Sequence, residues 1–393
     1  MRNSDFVDGR SPGRMTPIDG GLHAFVPHAL PPRWEMPSEF WPLVRDAWAN
    51  IKELNGIGRL LKNPTILLKP LENREAIQSS RIEGTFATAK ELLLFEKAPR
   101  GDNPNDQQRS DWREVWNYRQ ALIHGLRSPL PISKRLICEL HKVLLSGVRG
   151  EDKRPGEFRR VQVGIRGKAG DPAFVPPPYS ELDSCLNDLE SYIHSPSEQI
   201  DPLVDCFLVH YQFETIHPFR DGNGRVGRLL LALMVKERCI LSQPWLFVSQ
   251  YFEKHQSRYF ELLYQVSSQA AWSEWIRFCL EGTVAQAQDT LDRCQRILDV
   301  QESLKQQLSP LRGSNKLLPI IDLVLEKMYV SVNDVIEEFG VTYPTANAYL
   351  LKLLNQGILR QLDNVPQKMY YSPEIFKITY SDLAGSEEQF VVP

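Results

Sequence analysis

The chain has 393 residues, 42% of them apolar, and a formal net charge of −3. That is enough for two or three packed units, and the near balance of charge excludes a general attraction to nucleic acid. No apolar run reaches membrane-spanning length, the start MRNSDFVDGR lacks the apolar core of a signal peptide, and the six cysteines include no CxxC pair. These features argue against a membrane span, a disulfide framework and a zinc site, and for a reduced, cytoplasmic setting.

Residues 1 to about 40 are rich in Pro and Gly (SPGRMTPIDGG, VPHALPPRW) and are expected to drape as extended chain without forming elements. Residues 38–62 have helical spacing and a Ser start. Residues 71–96 predict one helix to about Ile82, a break near Gly84 and a second helix. Ser79 and Glu83 are four apart and share a face of the first. By themselves they also describe an ordinary helix end with a surface Glu and a Gly cap. Residues 107–150 hold two helical runs that supply core, with His124 and His141 read as structural. From Pro155 the pattern changes. FRRVQVGI alternates, GKAGDP is a turn, and AFVPP is a second short strand, so a β-hairpin is predicted, ended by Pro176 to Pro178. Arg159 and Arg160 receive no role. A helix over 180–194 follows.

Apolar helix-length runs, Pro202 to Ile216 and Leu229 to Ile240, flank the stretch HPFRDGNGRVGR, His217 to Arg228. The pattern is helix, tight loop, helix. Gly222, Gly224 and Gly227 let backbone N–H groups turn toward one point, where the second helix also begins with its positive dipole end. Such a place binds phosphate. Arg225 and Arg228 add fork-shaped donors, Asp221 a hard oxygen ligand for Mg²⁺ carried by a nucleotide, and His217 a base near neutral pH. A dinucleotide fingerprint is rejected because VDCFLVHYQFETI upstream is a helix, not a strand. A calcium loop fails at Arg225 and Ala232.

Further on, 249–283 is a helical pair, with Trp272 and Trp275 read as core, and 284–308 is a polar connecting helix. From about 316 to 380, helix, helix, Gly turn, helix and a short hairpin resemble a winged helix-turn-helix. Acidic residues outnumber basic ones from 310 to the end, which favours protein contact or a homodimer over DNA.

The stretch from His217 to Arg228 meets every specified position of HPFxDGNGRxxR, and here the chain resembles the Fic family. The resemblance implies a mainly α fold: a Fic/Fido helical bundle with a small β-hairpin flap, followed by the winged helix-turn-helix. It implies transfer of AMP from ATP to a hydroxyl side chain of a target protein. His217 would take the proton from the attacking hydroxyl. Asp221 would hold Mg²⁺ on the α- and β-phosphates. Gly222, Asn223 and Gly224 would form the anion nest, continued by Val226 and Gly227. Arg225 would steady the phosphates and the loop, Arg228 would hold the γ-phosphate, and Phe219 would plug the core beneath. Ser79 to Gly84, SSRIEG, matches the family's inhibitory motif [S/T]xxxE[G/N], so Glu83 would compete with the γ-phosphate for Arg228. The hairpin would be the flap that registers the acceptor. Tyr259 and Phe260 stand where relatives carry Tyr-Tyr against base and ribose; ordinary core packing is the alternative for both.

The expected organisation is an N-terminal extension over 1–100 carrying the inhibitory helix, a catalytic core over 101–285, a connecting helix and linker over 286–315, a winged-helix-like unit over 316–380 and a tail over 381–393. The function expected is an autoinhibited protein adenylyltransferase using ATP and Mg²⁺, with removal of AMP as a companion activity. The alternative is a DNA-binding regulator whose Fic core senses nucleotide.

Overall fold

The computed structural model describes residues 6, 11–60, 63–97, 107–148, 153–165, 174–310, 314–362, 365 and 367–383. The N-terminal stretch forms an antiparallel hairpin, β1 (Gly13–Ile18) and β2 (Leu22–Pro27), paired from Gly13↔Pro27 to Ile18↔Leu22. This corrects the expectation of an element-free drape. Gly20 and Gly21 turn the chain with φ of 79° and 71°, values that a Cβ would strain. Pro17, which argues against a strand by sequence, is tolerated in a two-stranded ribbon that has an open edge. Ala24, Phe25 and Val26 are buried beneath it.

Helix α1 (Trp41–Leu60) precedes α2 (Thr65–Ile82) and α3 (Ala89–Lys97), with the break at Gly84 as expected. Helix α2 is polar in sequence, yet only Thr65, Lys69 and Glu72 escape burial. Of its buried polar side chains, Asn73 donates to Tyr380 at 3.1 Å, Arg74 pairs with Asp382 at 2.7 Å, and Glu75 accepts from Tyr118 at 2.7 Å and Ser249 at 2.6 Å, while Gln78 Oε1 and Ser80 Oγ are buried without a hydrogen-bond partner among the described residues. Then come α4 (Gln107–Arg127), α5 (Lys134–Leu144) and α6 (Tyr179–His194).

The central pair is α7 (Pro202–Ile216) and α8 (Asn223–Arg238). Asp201 caps α7 by accepting from the N–H groups of Leu203 (2.9 Å) and Val204 (3.4 Å), with Pro202 in the first turn. A cap of this kind stabilises by about 1 kcal/mol. Helix α7 is largely apolar and buries every residue except Pro202 and Glu214, Asp205, His210 and Gln212 included, as a helix at the centre of a bundle does.

Among the described residues the predicted flap hairpin shows one β-bridge, Ile165↔Phe174, closed by two hydrogen bonds of 2.7 Å. The turn, 166–173, lies outside the described residues. Phe25 N–H donates to Val175 O at 2.8 Å, so the second arm is also tied to β2.

Helices α9 (Ser249–Lys254) and α10 (Gln256–Gln269) lead into α11 (Trp272–Leu308), which is one continuous helix and not a pair member plus a linker. It packs along α1 and buries Trp275, Leu291, Cys294 and Ile297, so it belongs to the core. The C-terminal unit comprises α12 (Ser314–Lys327), β3 (Val330–Ser331), α13 (Val332–Phe339), α14 (Tyr343–Asn355), β4 (Arg360–Gln361), β5 (Met369–Tyr371) and α15 (Pro373–Tyr380), its sheet in the order β3-β5-β4. It docks on α2. Asp382 accepts from Arg74 at 2.7 and 2.8 Å, from Arg293 at 2.8 Å and from Gln250 at 2.8 Å. These guanidinium groups hold its carboxyl far below the usual range against the opposing effect of burial. Among the described residues no helix is long and apolar enough to cross a membrane. All six cysteines are free thiols.

Candidate active site

The site lies at the hinge between α7 and α8. Helix α7 ends where His217 takes left-handed backbone angles (φ 50°, ψ 61°) and its N–H donates to Phe213 O at 3.0 Å. Nδ1 of His217 lies 3.2 Å from Glu214 O. A carbonyl only accepts, so Nδ1 carries the proton and Nε2 keeps its lone pair. Burial lowers the imidazole to about 4, with Glu83 pulling the other way, so the ring is neutral near pH 7. A neutral ring with a fixed tautomer is what a general base requires.

Arg159, to which sequence reasoning gave no role, makes this turn possible. It is 1% exposed, and its guanidinium donates to four carbonyls: His217 O (2.9 Å), Pro177 O (2.6 Å), Val161 O (3.2 Å) and Ile216 O (3.4 Å). Carbonyls at a helix C-terminus need outside donors, and one planar fork supplies several at once.

The loop is clamped from within. The Asn223 side chain accepts from Phe219 N–H at 2.8 Å and donates to Phe219 O at 2.9 Å, so its amide holds the loop closed and does not point into the nest. Phe219 is fully buried and stacks on His141 with ring centroids 3.7 Å apart. His141 accepts from Gly156 N–H (2.8 Å) and donates to Asp221 O (3.1 Å), the structural role expected of it. Asp221 Oδ1 accepts from Gly222 N–H at 2.7 Å. Gly222 is left-handed at φ 75°, and the first intrahelical bond of α8 is Val226 N–H to Gly222 O at 3.0 Å. The N–H groups of Asn223, Gly224 and Arg225 thus precede the hydrogen-bonded ladder, where a helix binds an anion. Val226 differs from expectation, because its N–H is used inside the helix and its side chain is in the core.

Arg228 is where the Ser79 to Gly84 segment and the motif meet. Its Nε donates to Ser79 Oγ at 2.8 Å, and its Nη2 to Ser79 O at 2.9 Å and to Glu83 Oε1 at 2.8 Å. Arg228 is 1% exposed at its side chain and Glu83 33%. Burial alone would raise the Glu83 carboxyl, but the Arg228 charge outweighs it and holds it ionised. Two glycines make room for acids around this cation. A Cβ at Gly224 would overlap Glu83 Oε1, and a Cβ at Gly227 would overlap Glu214 Oε1. Glu214 has a buried Oε1 without a hydrogen-bond partner, and burial pushes its carboxyl up to about 8 against the pull of Arg228. Gly227 therefore serves helix packing and not the nest.

Arg225 also departs from its expected place. Its Nη1 pairs with Glu114 of α4 at 2.9 Å, so it reaches away from the nest into the bundle. Tyr259 is fully buried and hydrogen-bonded to His210 at 2.9 Å within a ring cluster with Phe252 and Trp275. Phe260 is 43% exposed. The core-packing alternative describes Tyr259. Among the described residues no cluster of three or more His, Cys, Asp or Glu forms a metal cage.

Helical hairpin, anion nest and opposed acid together define a class, and comparison with known proteins names it. Residues 41–127 match the model described as Fic/DOC family N-terminal, and residues 131–235 match that of the Fic/DOC family. The chain thus carries a Fic N-terminal domain and a Fic domain. Its curated relatives include the protein adenylyltransferase Fic of Aedes aegypti, 31% identical over 157 residues, 39% of this chain and 28% of that protein. That of Drosophila virilis is 30% identical over 250 residues, 61% of this chain and 46% of that protein. The chain thus spans less than half the length of these relatives. A Fic family protein from Desulfovibrio desulfuricans superposes with a TM-score of 0.53 at 21% identity, covering 86% of this chain and 98% of that one. A Fic domain containing signaling protein from Bacteroides thetaiotaomicron gives 0.50 at 18%, covering 63% and 97%. These two likenesses show the shared fold.

Proposed function

We propose that this protein is an autoinhibited protein adenylyltransferase, moving AMP from ATP to a hydroxyl side chain of a target protein and of itself. The observation that carries this is the convergence of a neutral His217, the N–H groups at the start of α8 and Arg228 on one hinge, with Glu83 on the last of them. The nest would take the polyphosphate, and Nε2 of His217 would take the proton of the attacking hydroxyl. Asp221, a single half-exposed carboxylate at the mouth, suits a Mg²⁺ that arrives already bound to phosphates, since that ion keeps several non-protein ligands. While Glu83 holds Arg228, the γ-phosphate has no cation to meet, so ATP binds weakly or in a pose unsuited to in-line attack.

We read residues 316–380 as a winged-helix-like unit used for protein contact, because α14 shows Tyr343 and Leu351 to solvent and the segment is acidic. Free thiols accord with a cytoplasmic setting. Incubation with α-labelled ATP and Mg²⁺ tests the function. Label on the Glu83→Gly form or on a lysate protein, lost in His217→Ala, is expected; no label from either the parent or the Glu83→Gly form would refute it.

A further inference from the structure

Glu83 is the C-cap of α2, one residue past its end, one-third exposed and followed by Gly84 at φ 82° with open space around it. Such a turn needs an anchor to keep its carboxylate on Arg228. The anchor lies two residues on. Thr85 is 2% exposed, its N–H donates to Ser80 O at 3.1 Å, and its Oγ1 donates to Glu114 Oε2 at 2.8 Å. The same carboxylate oxygen accepts from Arg225 Nη1 at 2.9 Å. Glu114 and Arg225 are both buried, so this pair is little screened and its geometry is held tightly.

The contacts close a ring. From α8 it runs through Arg225 to Glu114 on α4, through Thr85 to the turn at Glu83, and through Arg228 back to α8, three residues from where it began. We infer that Glu114 is a positioning residue for both halves of the site: it sets the inhibitory turn against Arg228 through Thr85, and it holds the Arg225 guanidinium out of the nest at the first turn of α8. This rests on the adenylyltransferase reading given above. The two arms have different consequences. Loss of the Thr85 arm frees the turn and leaves the nest intact. Loss of the Glu114 carboxylate also leaves Arg225 buried and unpaired beside the phosphate site.

Self-labelling with α-labelled ATP and Mg²⁺ separates these outcomes, with thermal melting to follow folding. Thr85→Val keeps the shape and removes the donor. It is expected to raise self-labelling of the parent by about tenfold, the scale of one hydrogen bond to a charged acceptor. Thr85→Ser should stay at the parent level. In the Glu83→Gly background Thr85→Val should change nothing, because Thr85 acts through Glu83, whereas Glu114→Gln should raise the KM for ATP. If Glu83→Gly labels but Thr85→Val labels like the parent, or if Thr85→Val also alters the Glu83→Gly rate, the positioning role is wrong and the function stands. If Glu83→Gly does not label, the function and this inference fall together. Thr85→Val alone decides the matter should Glu114→Gln not fold.

Discussion

Glu83 Oε1 and Arg228 Nη2 are 2.8 Å apart, and the α-carbon of Gly224 faces that carboxylate so closely that any side chain there would displace it. The acid thus lies over the first turn of α8, on the guanidinium that a terminal phosphate would seek. On the function proposed above, one cation sought by two anions would make inhibition a competition, which fixes what its removal should do.

Glu83→Gly should raise adenylylation at least about tenfold, with a lower KM for ATP. The figure is modest for a charge pair because the Glu83 side chain is 33% exposed and screened. Initial rates over a range of ATP concentrations give the result, and rates equal to the parent's would remove the regulatory role.

The pH profile of the Glu83→Gly form follows from His217. Burial holds its ring at about 4; the hydrogen bond to Glu214 O and the charge of Glu83 both pull it up, and only the second is gone in this variant. The acid limb of kcat should therefore lie near 4, with the rate steady from about pH 8 to about pH 5.5. A limb at the ordinary histidine value of about 6.5 would contradict the neutral base.

Glu214 gives a stability signature of opposite sign. Its folded carboxyl is raised to about 8, so its contribution is complete below the unfolded value near 4.5 and is lost as pH rises through 8. Glu214→Gln cannot ionise. Its stability relative to the parent should climb between about pH 4.5 and pH 8 in urea titrations; a constant difference would mean that Glu214 is ionised throughout. Gly227→Ala should cost roughly 1–3 kcal/mol by overlap with that same carboxyl, and Glu214→Ala should recover part of the loss.

Arg159→Met should destabilise by about 3 kcal/mol and lower kcat in the Glu83→Gly background, because the carbonyls of Ile216 and His217 lose their donor. Lysine should rescue little, since a single ammonium cannot span four acceptors. Unchanged kcat in Arg159→Met would show that the His217 turn holds itself.

The amino-acid sequence by itself determined the hinge. His217 to Arg228 are neighbours in the chain, and the period of a helix with the freedom of glycine converts that spacing directly into a nest. It determined the break at Gly84 and the common face of Ser79 and Glu83 for the same local reason. It misjudged the strands β1 and β2, where prolines masked an Asp-Gly-Gly turn, and it divided α11, whose core role depends on α1 lying beside it. Only the tertiary structure decided what each charge does. Arg159 meets His217 across 58 residues, Arg225 meets Glu114 across 111, and Arg228 meets Ser79 across 149. A buried ion is satisfied by whatever the packing brings to it, and no periodicity along the chain encodes that partner.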